Sequence, residues 1–302
     1  MSNPEFKSGF ITLAGRPNVG KSTLLNQLVG QHVSITSKKP QTTRNRIRGI
    51  LNGENYQAVI LDTPGIHLPK SELHKRIVAY AVKSLPESDL IFFMTEALPL
   101  KDKEISKEDL YVINSLPKSY KKTALIINKT DLCQPEQLLR TIEIYNKAFD
   151  FFQTVPISAK KAKGIDNLLK IIQGSLRPGV AYFPIDQYTD QPERLIVSEL
   201  IREQLIKLCW MEVPYGLAVA VESFKETDKL IKIYATIFVE KQTHKKIVIG
   251  SKGEMLKTVG TGARKKIEAI LAKKVFLSLH VKVSANWVNN PRKLGEFGYG
   301  TD

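Results

Sequence analysis

The run from Gly15 to Ser22, GRPNVGKS, constrains the fold more than any other feature of this chain. It fits the pattern G-x-x-x-x-G-K-[ST] and lies between a strand-like segment, FITLA, and a helical one, STLLNQLV, as the pattern requires. In such a loop, backbone N–H groups and a helix N-terminus face phosphates, Lys21 reaches the β- and γ-phosphates, and the Ser22 hydroxyl ligates Mg²⁺. The predicted nucleotide-binding residues of the loop are Gly15, Asn18, Val19, Gly20, Lys21, Ser22 and Thr23.

Three further motifs follow strand-like runs, at the strand ends where parallel sheets bind ligands. DTPG starts at Asp62 after YQAVIL, NKTD starts at Asn128 after TALII, and SAK starts at Ser158 after QTVPI. Asp62 is expected to hold Mg²⁺ through water, and Gly65 to offer its N–H to the γ-phosphate with the freedom that a switch hinge needs. The predicted nucleotide-binding residues of these motifs are Asp62, Gly65, Asn128, Lys129, Asp131, Ser158, Ala159 and Lys160.

The predicted base is guanine, because of Asp131. A carboxylate at this position accepts hydrogen bonds from both N1–H and the exocyclic amine of guanine. Adenine offers no matching pair of donors and would leave the acid unpaired. The SAK segment would add a backbone N–H and the stem of Lys160. GTP and GDP are therefore the expected ligands, and an ATP-driven enzyme is opposed by Asn128 and Asp131.

The residues expected to act in hydrolysis are Lys21, Gly65 and a threonine between Gln31 and Arg48. Thr43 is predicted to close on Mg²⁺ and the γ-phosphate in the triphosphate state, with Thr42 as the alternative. Ile66, directly after DTPG, is aliphatic and cannot orient an attacking water. Slow, stimulable hydrolysis is the expectation. The predicted metal ligands are Ser22, Thr43 and Asp62.

The alternation of strand-like and helical segments predicts a mostly parallel sheet with helices on both faces for the first half. The rhythm ends near Gln173, and the following proline-containing stretch has no periodicity, which indicates a linker. After the linker the order of elements becomes αββααβ. The expected fold is an α/β phosphate-loop G domain followed by an α+β domain. The predicted boundaries are 5–176 for the G domain, 177–192 for the linker, 193–290 for the second domain and 291–302 for a tail.

Positive charge is concentrated near the C-terminus. The chain has a net charge of +15, and residues 241–293 hold 13 Lys and Arg against two Asp and Glu. This density indicates a face that binds a polyanion, although a solvated basic helix is the alternative. In the same region, Gly250-Ser-Lys-Gly253 forms a G-x-x-G turn between two short helices.

The G-x-x-G turn in its αββααβ setting resembles a K-homology (KH) domain, in which such a loop admits a single-stranded nucleic-acid backbone and the adjacent groove reads about four nucleotides. Two basic and three aromatic residues of the tail could stack on bases, but docking of Trp287 and Leu294 onto the domain is favoured. The predicted RNA-binding residues are Lys245, Lys246, Ile249, Gly250, Ser251, Lys252, Gly253, Lys257, Arg264 and Lys265.

A G domain followed by a KH-like domain resembles the Era family of ribosome-associated GTPases over nearly the whole chain. The resemblance implies a monomer that binds ribosomal RNA near the 3′ end of the 16S molecule during maturation of the small (30S) ribosomal subunit. It also implies Mg²⁺, GTP and GDP as cofactors, K⁺ near Asn18 as a further candidate, and peripheral association with the inner membrane. No tandem G domain is present, which separates the chain from the double-GTPase relative with a similar last domain.

Other classes of protein fit less well. No signal peptide and no apolar run of about 18 residues is visible, so a soluble, cytoplasmic protein is expected. The two cysteines, Cys133 and Cys209, have no neighbours at metal-ligand spacing, which argues against zinc or a disulfide framework. The alternative function is a GTPase switch that acts at a membrane surface or on a protein partner. Lipid binding, however, would require an exposed amphipathic face with aromatic anchors.

Overall fold

The structure is a computed structural model that describes residues 5–37, 39, 42–69, 71–102, 104–117 and 122–299. It contains two compact units. Unit 1 comprises Met1–Thr36, Thr43–Lys70 and Lys75–Asp190, and unit 2 comprises Ser37–Thr42, Ser71–His74 and Gln191–Asp302, each so far as its residues are described.

The described residues of unit 1 contain the mostly parallel sheet that the sequence predicts. Its order is β2-β3-β1-β4-β5-β6, with β2 antiparallel to β3 at one edge. The strands are β1 (Lys7–Ala14), β2 (Ile47–Gly53), β3 (Tyr56–Asp62), β4 (Leu90–Glu96), β5 (Lys122–Asn128), β6 (Gln153–Pro156) and β7 (Arg177–Pro178), and the helices are α1 (Lys21–Val29), α2 (Glu72–Lys83), α3 (Lys107–Ser115), α4 (Pro135–Ala148) and α5 (Ile165–Ser175).

Helices cover both faces of this sheet, because its central strands are apolar on both sides. In β4, successive side chains point to opposite faces, so Phe92 joins a core with α1 and α5 whereas Phe93 joins a second core with residues of α2, α3 and α4. Both phenylalanines are fully buried. Since parallel strands end at one edge, this packing fixes the strand ends that carry the four motifs.

Unit 2 has the predicted order αββααβ. It consists of α6 (Glu193–Leu208), β8 (Ala218–Glu226), β9 (Leu230–Val239), α7 (Gln242–Ile249), α8 (Glu254–Leu271) and β10 (Lys274–Val283), followed by α9 (Pro291–Glu296). The sheet order is β10-β9-β8, with β8 antiparallel and β10 parallel to β9. Alternate residues of β9, including Ile231, Ile233 and Ile237, are buried in one core with residues of α6, α7 and α8.

The C-terminal tail docks on unit 2, which is the favoured interpretation of its sequence. Trp287 and Leu294 are fully buried, and the Trp287 indole N–H donates a hydrogen bond to the carbonyl of Gly216 at 3.0 Å. Phe297 packs against Phe238 of β9 with ring centroids 4.5 Å apart. The last three residues of the predicted tail, 300–302, lie outside the described residues.

The segment 177–192, which its composition predicts to be a linker, packs on unit 1 as far as Asp190. Residues Arg177–Pro178 form β7, antiparallel to β1. The buried Gln57 side chain accepts hydrogen bonds from the N–H groups of Tyr182 and Phe183, at 2.7 and 2.9 Å, and its amide donates to the Phe183 carbonyl at 2.8 Å. The Gln57 side chain thus anchors a segment that has no hydrophobic periodicity. A contact of this kind cannot be predicted from periodicity.

None of the helices in the described ranges is both long enough and apolar enough to cross a membrane.

Candidate functional site

The phosphate loop joins the end of β1 to the start of α1. Gly15 has a φ of 153°, and a Cβ there would lie 2.4 Å from the carbonyl oxygen of Met94, so only glycine fits. Helix α1 begins after Gly20 without a side-chain cap and without an acidic residue in its first turn. Its first N–H groups therefore remain for an anion, as at other phosphate-binding helix N-termini.

Lys21 lies inside the loop that it is predicted to serve. Its ammonium group donates hydrogen bonds to the carbonyls of Gly15 at 3.1 Å and Arg16 at 3.0 Å. Burial lowers the pKa of Lys21 to about 8, partly offset by the negative charge of Asp62. The hydrogen-bond partners of this buried ammonium group are neutral carbonyls. A nearby phosphate would stabilise the charged form of Lys21 by supplying a negative charge.

Asp62 is the centre of a cluster of hydroxyl groups. Its Oδ2 accepts hydrogen bonds from Ser22 at 2.6 Å, Ser34 at 2.8 Å and Thr43 at 3.4 Å, and the Ser22 and Thr43 oxygens are 2.9 Å apart. Its Oδ1 is buried without a hydrogen-bond partner among the described residues. Burial raises the pKa of Asp62, with smaller opposing effects from Lys21 and the hydroxyls. A cluster of hydroxyl oxygens around a carboxylate with one oxygen unpartnered among the described residues suits Mg²⁺.

The two candidate threonines have different surroundings. Thr43 belongs to the Asp62 cluster, whereas the Thr42 hydroxyl donates to the carbonyl of Lys39 at 2.8 Å. This geometry favours Thr43 over Thr42 as the predicted metal ligand. Ser34 is a member of the cluster that sequence reasoning missed, because its only signal is a hydroxyl in the segment 31–48.

The DTPG turn packs closely on the phosphate loop. A Cβ on Gly65 would lie 2.6 Å from the ring nitrogen of Pro17, and the N–H of Ile66 donates to the Gly15 carbonyl at 3.1 Å. The side chain of Ile66 is fully buried in the core. It therefore does not project into the nucleotide site.

Asn128 connects two of the other motifs. Its side-chain amide donates to the carbonyl of Val19 at 2.8 Å, and its Oδ1 accepts from the N–H of Ala159 at 2.9 Å. The residue is almost fully buried. It thus holds the phosphate loop and the SAK segment in fixed positions beside the base site.

The remaining side chains of NKTD and SAK also pair. The Ser158 hydroxyl donates to Asp131 Oδ1 at 2.5 Å, and this hydrogen bond is the main cause that lowers the pKa of the exposed Asp131 carboxyl. Lys129 forms an ion pair with Glu96 at 2.6 Å. A groove of about 460 Å³ lies beside α1. Predicted residues that line it are Thr23, Ala159 and Lys160.

A buried network behind the phosphate loop was not predicted. Asp109 of α3 accepts hydrogen bonds from the hydroxyls of Tyr145 at 2.8 Å and Thr95 at 3.1 Å, and its Oδ2 lies 3.3 Å from Nε of Arg16. Arg16 occupies a variable position of the loop pattern, so the pattern gave no reason to select it. The network fixes the loop backbone from α3.

In unit 2, the G-x-x-G turn has a backbone conformation that requires glycine at its first position. Gly250 has a φ of 74°, and a Cβ there would lie 2.6 Å from Cβ of Met255. Ser251 and Lys252 are exposed, and Lys252 is in the left-handed region. The turn thus presents its polar residues and leads directly into α8.

A groove of about 370 Å³ adjoins this turn, between α8 and the edge strand β10. Three predicted RNA-binding residues line it, namely Gly253, Lys257 and Arg264. The other seven predicted residues are not part of its lining. The lining residues that the prediction missed are Leu256, Gly260, Thr261, Leu277 and Leu279. An apolar floor with basic residues at its rim can take a base while the backbone is held by charge.

Comparison with known proteins identifies a GTPase domain in the first half of the chain and a KH domain in the second half. The family model of the 50S ribosome-binding GTPase matches residues 10–129, and the KH domain model matches residues 212–288. The GTPase Era of Geotalea uraniireducens is 48% identical over 300 residues, 99% of this chain and 100% of that protein. The GTPase Era of Clostridium acetobutylicum is 44% identical over 97% of this chain and 98% of its own length.

Solved structures give the same result over the full length. An Era structure in complex with MgGDPNP and nucleotides 1506–1542 of 16S ribosomal RNA has a TM-score of 0.93 and 38% identity, covering 98% of this chain and all of that chain. A single-residue variant of Aquifex aeolicus Era bound to GDP and AlF4⁻ has a TM-score of 0.92 at the same identity and coverage. The chain has a phosphate-loop G domain with four nucleotide motifs and a KH unit, and Era proteins match it over almost its whole length. It therefore belongs to the Era family of GTPases.

Proposed function

We propose that the chain is a GTP-hydrolysing switch that binds the 3′ end of small-subunit ribosomal RNA and acts in maturation of that subunit. The observation that carries the proposal is the convergence of four nucleotide motifs in a chain that also has a G-x-x-G groove. The Era relative bound to nucleotides 1506–1542 of 16S ribosomal RNA supports the choice of RNA.

Guanine selection rests on Asp131, which is oriented by Ser158. The carboxylate keeps one oxygen on the Ser158 hydroxyl and stays ionised because that hydrogen bond lowers its pKa. An ionised acid accepts from both donors on the Watson–Crick edge of guanine. Asn128 contributes by positioning, since it holds the SAK segment through Ala159.

Phosphate binding rests on the loop N–H groups and on Lys21. The lysine can exchange its two carbonyl contacts for oxygens of the β- and γ-phosphates without leaving the loop. Ser22, Thr43 and Asp62 would hold Mg²⁺, which when bound supplies charge neutralisation for the transferred phosphoryl group. Asp62 Oδ1 is the acceptor that this arrangement would satisfy.

Hydrolysis depends on positioning and charge, because Ile66 supplies no group that could orient water. Lys21 and the N–H of Gly65 would stabilise charge that develops on the γ-phosphate, and closure of Thr43 would exclude water from the metal site. K⁺ near Asn18 would add positive charge at the loop. The expected consequence is slow intrinsic GTP hydrolysis, which would let the GTP-bound state of the switch persist.

RNA binding is assigned to residues 193–290, with the G-x-x-G turn receiving the backbone and the adjoining groove receiving bases. Lys257 and Arg264 flank the groove, and Leu277 and Leu279 form its floor. Lys245, Lys246, Lys252 and Lys265 would attract the phosphates around it. We also propose a cytoplasmic monomer; peripheral membrane association would place the same basic surface on anionic lipid.

One comparison tests this function. The affinity for a short single-stranded fragment of the 16S 3′ end would be measured beside the affinity for anionic vesicles, at one salt concentration and with GTP bound. Tighter RNA binding, together with hydrolysis of GTP but not ATP, is expected. Preference for vesicles would reject the RNA assignment, and equal turnover of ATP would reject the base assignment.

A further inference from the structure

The sheet of unit 2 has a second face, opposite the helices and the groove. Side chains alternate between the faces along β10, so Leu277 and Leu279 point to the groove whereas Phe276, Ser278 and His280 belong to the other face. The tail covers one end of this open face, where Phe297 packs on Phe238. The rest of the face has no helix over it among the described residues.

Two aromatic rings lie exposed on the uncovered part. Tyr234 of β9 is 39% exposed and Phe276 of β10 is 48% exposed, with ring centroids 5.9 Å apart. Neighbouring exposed rings on a sheet face cost free energy in water and offer π-faces on which bases can stack.

Positive charge surrounds the two rings. Lys225 and Lys232 lie directly opposite each other on β8 and β9, and Lys232 is also opposite Phe276 on β10. Like charges in opposite positions of a strand pair are destabilising. Lys225, Lys232 and Lys274 are exposed and form no ion pair with any described residue, so their charges remain available to an anionic partner.

Glu222, the one acidic side chain that the described strands place on this face, is already engaged. Glu222 accepts a hydrogen bond from the Thr236 hydroxyl at 2.6 Å and lies 3.4 Å from Nζ of Lys282. Its charge is therefore balanced locally and does not neutralise the other lysines. The uncovered face is cationic with an aromatic centre, which is the combination that single-stranded nucleic-acid sites use.

We propose that this face, defined by Lys225, Lys232, Tyr234, Lys274 and Phe276, is a second binding surface for single-stranded RNA. Bases stack on Tyr234 and Phe276, and the backbone phosphates pair with the three lysines. The inference rests on the proposed RNA-binding function, because β10 is shared with the groove and one RNA strand can pass around this edge strand to reach both faces.

Oligonucleotide length separates the two surfaces. An oligouridylate of about 5 nucleotides fills the groove alone, whereas one of about 20 nucleotides can contact both faces. Replacing both rings (Tyr234→Ala with Phe276→Ala) should weaken binding of the long oligonucleotide by at least about fivefold and leave the short one unchanged. Phe152→Ala, which removes an exposed ring from unit 1, is the matched control and should change neither affinity.

A second variant keeps both rings and tests the charge. Lys232→Gln with Lys274→Gln should reduce the slope of log affinity against log salt by about 1.4 for the long oligonucleotide, since each phosphate contact to a single strand contributes about 0.7. Photocross-linking with 5-iodouridine RNA should label Tyr234 and Phe276 in the parent protein. An unchanged melting temperature shows that each variant is folded.

The outcomes distinguish this surface from the groove. Equal loss of both oligonucleotides in the ring variant would overturn the proposal, because the variant would then act through the groove. Parent-like binding of the long oligonucleotide would also overturn it and would leave the face to a protein partner. If the parent protein bound neither oligonucleotide, the RNA-binding function itself would be rejected.

Discussion

The Ser158 hydroxyl donates a hydrogen bond to Asp131 Oδ1 at 2.5 Å, across the ends of two neighbouring strands. The bond orients the carboxylate, and the lone pairs that remain on its two oxygens can accept the two guanine donors of the proposed contact. Because the Ser158 hydrogen bond favours the ionised form, the folded-state pKa of Asp131 lies below its ordinary value, and the acid stays charged well into the acidic range.

Replacing Asp131 with Asn should change the preferred base. An amide can donate to the 2-carbonyl of xanthine, where the carboxylate accepted from the amine of guanine. We expect GTP affinity to fall by about tenfold or more and XTP to become the better ligand. Competition of the two nucleotides against a fluorescent analogue would measure this. If the variant kept the parent's preference for GTP, Asp131 would not contact the base.

Lys21→Ala should abolish productive GTP binding and leave the fold intact. The change removes the cation from a loop whose backbone is fixed by Gly15 and by the Arg16–Asp109 pair. A nucleotide at about 100 times its dissociation constant stabilises the parent by about 2.7 kcal/mol, and this increment should disappear. Thermal melting with and without GTP would test it. A variant that melts normally but hydrolyses GTP near the parent's rate would exclude Lys21 from the site.

Contiguous motifs explain why candidate residues of the nucleotide site could be selected from the sequence. The residues Gly15 to Ser22, Asp62 to Gly65 and Asn128 to Asp131 carry their chemistry within a few positions, so spacing along the chain was sufficient. The order of the elements of unit 2 was equally accessible, since helical and strand-like runs follow one another along the chain.

The unpredicted residues act across elements. Ser34 reaches Asp62, and Asp109 reaches Arg16, through packing that no local spacing encodes. Leu277 and Leu279 appear in the sequence as ordinary strand residues, and only the position of α8 beside β10 turns them into the floor of a groove. Gln57 similarly anchors Tyr182 and Phe183 in a stretch that composition assigns to a linker.

Replacing both Ser251 and Lys252 with Asp should remove RNA binding and spare GTP hydrolysis. Both residues are exposed in the G-x-x-G turn, so their replacement disturbs little of the core, while the new carboxylates would repel a phosphate backbone at short range. Filter binding with a single-stranded RNA and a phosphate-release assay would separate the two activities.

The matched control for that variant changes the same amount of charge elsewhere. Asn167→Asp with Lys170→Asp alters two exposed positions of α5 in unit 1 and should retain RNA binding. Loss of binding in both variants would indicate a general charge effect, and retention in both would remove the turn from the RNA site.

Trp287 is predicted to stabilise unit 2 through both its ring and its N–H. The fully buried ring lies 5.3 Å from the ring of Phe297 and 5.7 Å from that of Tyr299, and the indole donates to the Gly216 carbonyl at 3.0 Å. Trp287→Ala should lower the free energy of unfolding by about 3–5 kcal/mol because a large cavity remains.

Trp287→Phe isolates the hydrogen bond within that total. It keeps an aromatic ring but leaves the buried carbonyl of Gly216 without its donor, and it should cost about 1–3 kcal/mol. Urea denaturation of the two variants, followed by circular dichroism, would give both values. GTP hydrolysis below the melting transition should stay at the parent's rate, since Trp287 belongs to unit 2 whereas the nucleotide motifs belong to unit 1. If the alanine variant were as stable as the parent, the tail would not contribute to the core of unit 2.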